Sequence, residues 1–449
     1  MNTMVLRREK AFYAIMAGQL VSTIGSSMTR FGLGIWVLNE TGDTSAFTLL
    51  LFFAVLPVGI GSIFAGPLVD RWNRRRTLIV ANILASLSTL AIAVLFFADV
   101  LELWHLLLAV TVNGLANAFV LPSLEASVPL LVDREQLGRA AGLTQMIQAL
   151  EVILGPALAG LLIGSAGLGA IFITDFVTFG AVLMALMLVF IPQPSGNGNE
   201  MGNEESLWGS FVFGLNYIRE RPAFIYLMGF VTLAMFLMPG FGYALVTPLV
   251  LSFASEEAAG FVLSTFGFGS LAAGILLAVW GGPKERRMDA MLIALAMSGL
   301  AMMTAGFRAN LPFVMTGMLF IGVSFVILIG LNRVIWQVKA PPEILGRIFA
   351  LRVTLGVCAQ ALGILIAGPL AQNVFEPRMA SGGSWAPIIG PVIGTGDGRG
   401  IGLIYIVVGA ATVLIAIVGF LSPSVRYLED GVPDYVEPNS NKADLVAAD

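Results

Sequence analysis

The sequence predicts an all-α integral membrane protein, with twelve transmembrane helices in two six-helix bundles related by a pseudo-two-fold axis along the membrane normal. Three observations carry this reading: the scarcity of charge, the succession of long apolar runs, and an internal repeat. Of the 449 residues, 57% are hydrophobic and only 12% are charged, and the mean hydropathy is +0.89. A soluble domain carries roughly 25% charged residues, so this chain cannot cover itself with a polar surface. In lipid, helices satisfy their own backbone groups, and about 20 mostly apolar residues suffice to span. The net charge of −4 says little, because in a membrane protein the placement of charge matters more than its sum.

The apolar runs lie at 11–38, 46–69, 77–98, 103–130, 138–164, 168–191, 223–250, 258–281, 289–307, 311–338, 343–375 and 400–421. The opening "MNTMVLRREK" leads into a run too long for a signal-peptide core, so no cleavable signal is expected. Runs one to six form an N-terminal bundle over 1–191. A cytoplasmic linker over 192–222 follows. It begins with the polar, Gly-rich "PQPSGNGNEMGNEE" and then places Leu207, Trp208, Phe211, Leu215 and Ile218 on one helical face, as a helix lying on the membrane surface does. Runs seven to twelve form the second bundle, 223–423, and an acidic tail, 424–449, reads as disordered. Basic residues set the orientation. With the N-terminus in the cytoplasm, eighteen of the 24 Lys and Arg fall on the cytoplasmic side, three outside (Arg308, Arg378, Arg399) and three within spans (Arg30, Arg333, Arg352). Both termini are therefore expected to be cytoplasmic, in a multi-pass protein of the cell membrane.

A shift of 208 residues lays the second half on the first. "GIGSIFAGPLVDRW" (59–72) falls on "GFGSLAAGILLAVW" (267–280) with 7 of 14 positions identical, and "EQLGRAAGLTQMIQALEVILGPALAG" falls on "EILGRIFALRVTLGVCAQALGILIAG" at the same shift. Parallel repeats of this kind are related by an axis along the membrane normal, and such proteins bind their ligand near the midplane between the repeats.

Between spans 2 and 3 stands "GPLVDRWNRRRTL", a knot of five charges in an apolar landscape. With the twelve spans and the central linker, it resembles the loop signature of the major facilitator superfamily. Gly66, Leu68, Asp70, Arg71, Arg74 and Arg75 match it, and Asn73 replaces a Gly at a tight turn. Ala278 and Val279 stand where the second half would repeat Asp70 and Arg71. "QLVSTIGSSMTRFGLGIWVLNETGDTS" and "GTGDGRGIGLIYIVVG" resemble more narrowly the macrolide-efflux type of exporter, to which the enterobactin-exporter type is similar. The resemblance implies a secondary transporter working by alternating access, not an enzyme. It also implies that Asp70 contacts the start of span 11, where the free N–H groups of a helix N-terminus stabilise a carboxylate. Arg74 and Arg75 are then candidates to reach acids of the 4–5 loop, chiefly Asp133, and so to latch the bundles. The alternative is that these arginines only set topology. "EVILGPALAG" in span 5 resembles an antiporter signature through Gly155, Pro156 and Gly160. Its expected partner is the small-residue face of span 8 (Gly267, Ser270, Ala273, Gly274), with span 2 (Gly59, Ser62, Gly66) against span 11 (Gly363, Ala367) as the equivalent seam. Ordinary helix packing is the competing reading.

Six ionisable residues lie inside spans: Arg30, Glu125, Glu151, Asp175, Arg333 and Arg352. Facing lipid at mid-bilayer, each would cost roughly 2.5–3.5 kcal/mol, so most must face a cavity or one another. Glu151 lies deepest, and a carboxyl in a dry cavity can load and lose a proton as access alternates. Glu151 is therefore the first candidate for proton coupling and Asp175 the second, against the reading that Glu151 is fixed in a structural pair with an Arg. Arg30 and Arg352 are candidates to line the cavity or touch substrate. The repeat places Glu125 on Arg333, which suggests an inner gate pair, closed when the protein is open outward; pairing within each bundle is the alternative. One Cys (Cys358) and one His (His105) exclude a disulfide and a His or Cys metal cluster. "GTGDGRGIG" precedes a span and follows no strand, so it is no nucleotide site.

The reading is a proton-coupled antiporter exporting hydrophobic drugs or macrolide-like compounds, monomeric, with small-molecule substrate, protons and membrane lipid as partners, no nucleic acid, no metal and no cofactor. The alternatives are an exporter of a siderophore or other anionic metabolite, and a non-transporting membrane sensor or scaffold.

Overall fold

The computed structural model describes the backbone of residues 2–189, 215–429, 431, 434 and 435, and the side chains of all of these except 2–9, 66, 67, 70, 71, 134, 188, 342 and 343. The first half comprises α1 (Asn2–Thr41), α2 (Thr44–Arg71), α3 (Arg74–Phe97), α4 (Leu103–Leu131), α5 (Leu137–Ala166) and α6 (Leu168–Leu188). The second comprises α7 (Pro222–Leu251), α8 (Glu256–Trp280), α9 (Arg287–Phe307), α10 (Leu311–Lys339), α11 (Pro342–Leu370) and α12 (Arg399–Leu421). Each apolar run of the sequence is a helix, and among the described residues there is no strand. Eleven of these helices are long and apolar enough to cross a membrane. The other is α1, whose Gln19, Ser22, Ser26, Ser27, Thr29 and Arg30 interrupt its apolar run.

Local signals set the breaks. Asp43 caps α2 by accepting the Ser45 N–H at 2.7 Å. Asn73 caps α3 by accepting the Arg76 N–H at 3.0 Å. Its φ of −69° is not left-handed, so the Asn that replaces the signature's Gly works as a helix cap, not as a residue tolerating positive φ. α7 is broken by a π-helical turn at Met238–Tyr243, and α11 runs through another at Ala371–Phe375 before ending at Met379.

In the first half α1 packs on α5 and α6, α2 on α4, and α3 on α4 and α6. In the second, α8 and α9 pack on α10, α9 on α12, and α7 on α11. There Trp336 is fully buried, stacks on Phe224 with ring centroids 4.5 Å apart, and donates to Asn332 Oδ1 at 3.1 Å. Two seams join the halves, α5 with α8 and α2 with α11.

The seams are tight at one face and loose at the other. Towards the face that carries Gly42 and Gly167, a Cβ on Gly260 would lie 2.3 Å from the Pro156 carbonyl oxygen, and Ser264 donates to the Ile153 carbonyl at 2.6 Å. Asn39 donates to Glu256 Oε1 at 3.1 Å, and the Thr44 N–H to Gln372 Oε1 at 3.2 Å. Towards the face that carries the 2–3 loop, Gly138 and Gly142 of α5, Gly274 of α8 and Gly346 of α11 meet nothing within 4 Å. The halves thus meet closely at the first face, while these four glycines at the loop face touch no neighbouring helix.

The tail departs from the disorder expected of it from residue 424. Glu429 Oε1 accepts the Met288 N–H at 2.7 Å at the start of α9, and Arg287 lies 3.3 Å from Glu429 Oε2. Arg426 pairs with Asp289 at 3.0 Å, Lys339 with Asp434 at 2.7 Å, and Leu428 is buried. A carboxylate at a free helix N-terminus explains the docking. Of the surface helix expected in the linker, Leu207, Trp208 and Phe211 lie outside the described residues; Leu215 and Ile218 belong to a helical turn, with Ile218 buried.

Candidate functional site

A cavity of about 440 Å³ lies between the halves. Its polar lining is unevenly supplied. The first half contributes Ser26, Ser27, Thr29 and Arg30 from α1, Ser88 and Thr89 from α3, Asn113 and Asn117 from α4, Glu151 from α5 and Asp175 from α6. The second half contributes Tyr243 and Thr247 from α7 and Gln360 from α11. The remaining wall is mostly apolar, with Phe31, Phe47, Leu51, Val58, Leu263 and Ile364.

Two glycines bring the charged groups together. A Cβ on Gly25 would fall 2.3 Å from Thr178 Oγ1 and 2.9 Å from Asp175 Oδ1, so only glycine lets α6 approach α1 here. A Cβ on Gly155 would fall 2.2 Å from Ser27 Oγ. The first glycine of the span 5 motif therefore serves α1 and not the expected α8; Gly160 and Pro156 do face α8. Ser270 of that expected face turns to α10, where it donates to the Gly322 carbonyl at 3.4 Å. Gly59 meets Val357 of α11 as expected, but Gly363 packs on Phe236 and Gly240 of α7.

Arg30 and Glu151 form an ion pair inside this site. Asp175 is almost fully buried, accepts from Thr29 Oγ1 at 2.7 Å and from Ser26 Oγ at 3.4 Å, and feels the charge of Arg30. The Arg30 guanidinium thus pairs with Glu151 and lies within electrostatic reach of Asp175 on another helix. Burial of an ionised carboxylate carries a desolvation cost that hydroxyl donors offset only in part.

The other expected residues lie elsewhere. Arg352 is half-buried over Phe349 and Trp336, at 5.0 and 5.7 Å from the ring centroids, and does not line the cavity. Glu125 and Arg333 are exposed and form no ion pair with each other. Arg75 does not reach Asp133: it donates to the carbonyls of Leu186 and Met187 at 3.0 and 2.8 Å, where the end of α6 leaves them free. Asp133 is exposed, and no ion pair joins it to Arg74 among the described residues. The side chains of Gly66, Asp70 and Arg71 lie outside the described residues. His105 caps α4 through Nδ1, which accepts the Glu102 N–H at 3.0 Å. No cluster of metal-ligating residues occurs among the described residues. The Asn pair was missed: Asn117 donates to Asn113 Oδ1 at 2.7 Å. Its signal was two amides one helical turn apart in an apolar span.

Residues 15–371 match the family profile of the Major Facilitator Superfamily. The chain belongs to this superfamily. As such it is a membrane transporter with a small-molecule substrate. It is 25% identical over 374 residues to the macrolide efflux protein A of Streptococcus pyogenes, covering 81% of this chain and 90% of that protein. It is 25% identical over 368 residues to the multidrug efflux pump Tap of Mycolicibacterium fortuitum, covering 80% and 88%. The fold is shared with a bacterial homologue of the human lysosomal transporter Spinster in an inward-facing, unoccupied conformation (TM-score 0.66, 16% identity, 92% of this chain and 98% of that one). It is also shared with a POT family transporter in complex with 5-aminolevulinic acid (TM-score 0.71, 11% identity, 93% and 97%).

Proposed function

We propose that this superfamily member is a proton-coupled antiporter that exports hydrophobic, macrolide-like compounds. The observation that carries the reading is the Arg30–Glu151 pair, with Asp175 beside it, in a cavity whose remaining lining is mostly apolar. Charge bias puts the 2–3 loop and both termini in the cytoplasm, and the molecule is then inward-open. Cargo entering from that side meets Phe31, Phe47, Leu263 and Ile364 on its apolar surface and the Asn113–Asn117 pair for orientation. After the switch, a proton from outside settles on a carboxylate oxygen of Glu151. The ion pair with Arg30 dissolves, Arg30 turns to Asp175, and the polar face that oriented the cargo is rebuilt. Release of the proton inside restores the pair. Two efflux-named relatives support the direction.

The latch keeps Asp70 against the start of α11, while Arg75 holds α3 to α6. Glu125 and Arg333 meet as the inner gate when the cytoplasmic side closes. An anionic cargo is the less supported reading, because Arg30 is already paired. In proteoliposomes, macrolide efflux that stops when the proton gradient is collapsed supports the proposal. Efflux indifferent to the gradient would sink it.

A further inference from the structure

Outside the transport cavity, a second hollow of about 620 Å³ opens between α7 and α11 on the outer surface of the second half. Its walls are apolar: Ile225, Met228 and Leu233 from α7, Leu355 and Leu362 from α11, and Leu215 from the turn before α7. Ile225 and Leu362 are 45% and 52% exposed, so the groove opens to the lipid side. Along α7 the lining runs from Ile225 to Phe236. That is about 16 Å at 1.5 Å per residue, close to half of a ~30 Å hydrocarbon core. The groove is therefore one leaflet deep, and it begins at the face that carries the 2–3 loop.

Two details select its occupant. The first is Gly229. A Cβ on Gly260 would meet the Pro156 backbone of a neighbouring helix, whereas a Cβ on Gly229, which lines the groove, would meet nothing within 4 Å. The space it leaves belongs to the groove. The second is Arg219, at the groove's end on the loop side. The neighbouring charges are engaged with one another: Arg221 lies 3.7 Å from Glu220 and stacks 3.8 Å from the Tyr217 ring centroid. Arg219 itself is exposed and forms no hydrogen bond or ion pair among the described residues. A one-leaflet apolar slot ending in an unengaged cation at the interface complements an anionic phospholipid in shape and charge.

We propose that the α7–α11 groove binds one anionic phospholipid of the leaflet on the loop face, an acyl chain lying past Gly229 and the phosphate resting on Arg219. α7 and α11 also wall the transport cavity through Tyr243 and Gln360, so the lipid sits back to back with the cargo. This inference is independent of the cargo and of proton coupling.

The test uses the full chain in nanodiscs with spin-labelled phosphatidylglycerol or phosphatidylcholine, and reads the motionally restricted fraction. The wild type should hold phosphatidylglycerol roughly fivefold over phosphatidylcholine, the ratio expected of one interfacial arginine. Arg219→Gln should bring the ratio close to one while both lipids stay restricted. Gly229→Leu should lose both, with thermal unfolding unchanged as proof of folding. Equal holding of the two lipids by the wild type, or a preference that survives Arg219→Gln, overturns the proposal. So does displacement of the label by equimolar ethidium, which would give the groove to a lipophilic cargo. Label uptake that grows on deletion of residues 192–214 would give it to the chain's own linker and overturn the proposal equally.

Discussion

The two halves descend from one pattern and have divided the work between them. The shift of 208 that aligns them carries Arg30 onto Met238 and Glu151 onto Ala359. The first half supplies every charged group of the cavity, while the second adds only the neutral Tyr243, Thr247 and Gln360 beside a few apolar side chains, on a core closed by Trp336 and Phe224. At the position of Met238 the second half also breaks its helix with a π-helical turn, whereas α1 runs through. The third helix of each half is anchored differently as well. α3 is tied by Arg75 to the end of α6, whereas α9 is capped by Glu429 from beyond α12. The difference teaches that equivalent backbones constrain where chemistry can sit, not which half must carry it. One half holds the cavity's charges, and the other lines it with neutral side chains.

If the halves rock on the α5–α8 seam, the largest effect comes from filling it. Gly260→Val must displace the Pro156 backbone, 2.3 Å from its first added atom. Transport should fall at least tenfold, and distance measurements between spin labels on Asn39 and Glu257 should show the face carrying Gly42 and Gly167 forced open. A variant that transports normally would show that the seam does not set the closed state.

The gate comparison comes next. If Glu125 and Arg333 form the proposed gate, Glu125→Arg and Arg333→Glu should each impair transport several-fold, because each would place like charges where the two ends are proposed to meet. The double variant should recover a substantial part. A double variant no better than the worse single one rejects the pairing.

The smallest effect concerns the anchor of α9. Glu429→Gln keeps one acceptor for the Met288 N–H but loses the charge that Arg287 and the helix terminus favour. It should lower stability by about 1 kcal/mol, seen as a drop of a few degrees in Tm with transport rate preserved at low temperature. The same change to Glu125, which caps nothing, should leave Tm unmoved.

Much of this was legible beforehand, and the boundary between legible and hidden is physical. The twelve spans could be read because each is a local apolar run, and α1 was the least apolar because its polar residues line the cavity. Arg30, Glu151 and Asp175 stood out as ions in lipid, but not as a cluster: Arg30 and Glu151 are 121 residues apart, and Gly25 and Gly155 set their meeting. The sequence points Arg75 to Asp133 because opposite charges are visible in a sequence, while free carbonyls at a helix end are not. The docked tail was read as disordered for the same reason. Glu429 finds its partner 141 residues upstream, at an N-terminus that exists only once α9 has folded.

The central claim is that the first half's carboxylates carry the proton. It is tested most directly by substrate-induced proton movement in proteoliposomes holding the wild type, Glu151→Gln or Asp175→Asn. The wild type should move protons against substrate at a fixed ratio. Glu151→Gln should bind substrate with no proton movement, and Asp175→Asn should reduce the ratio. Proton movement at the wild-type ratio in both variants would contradict the account.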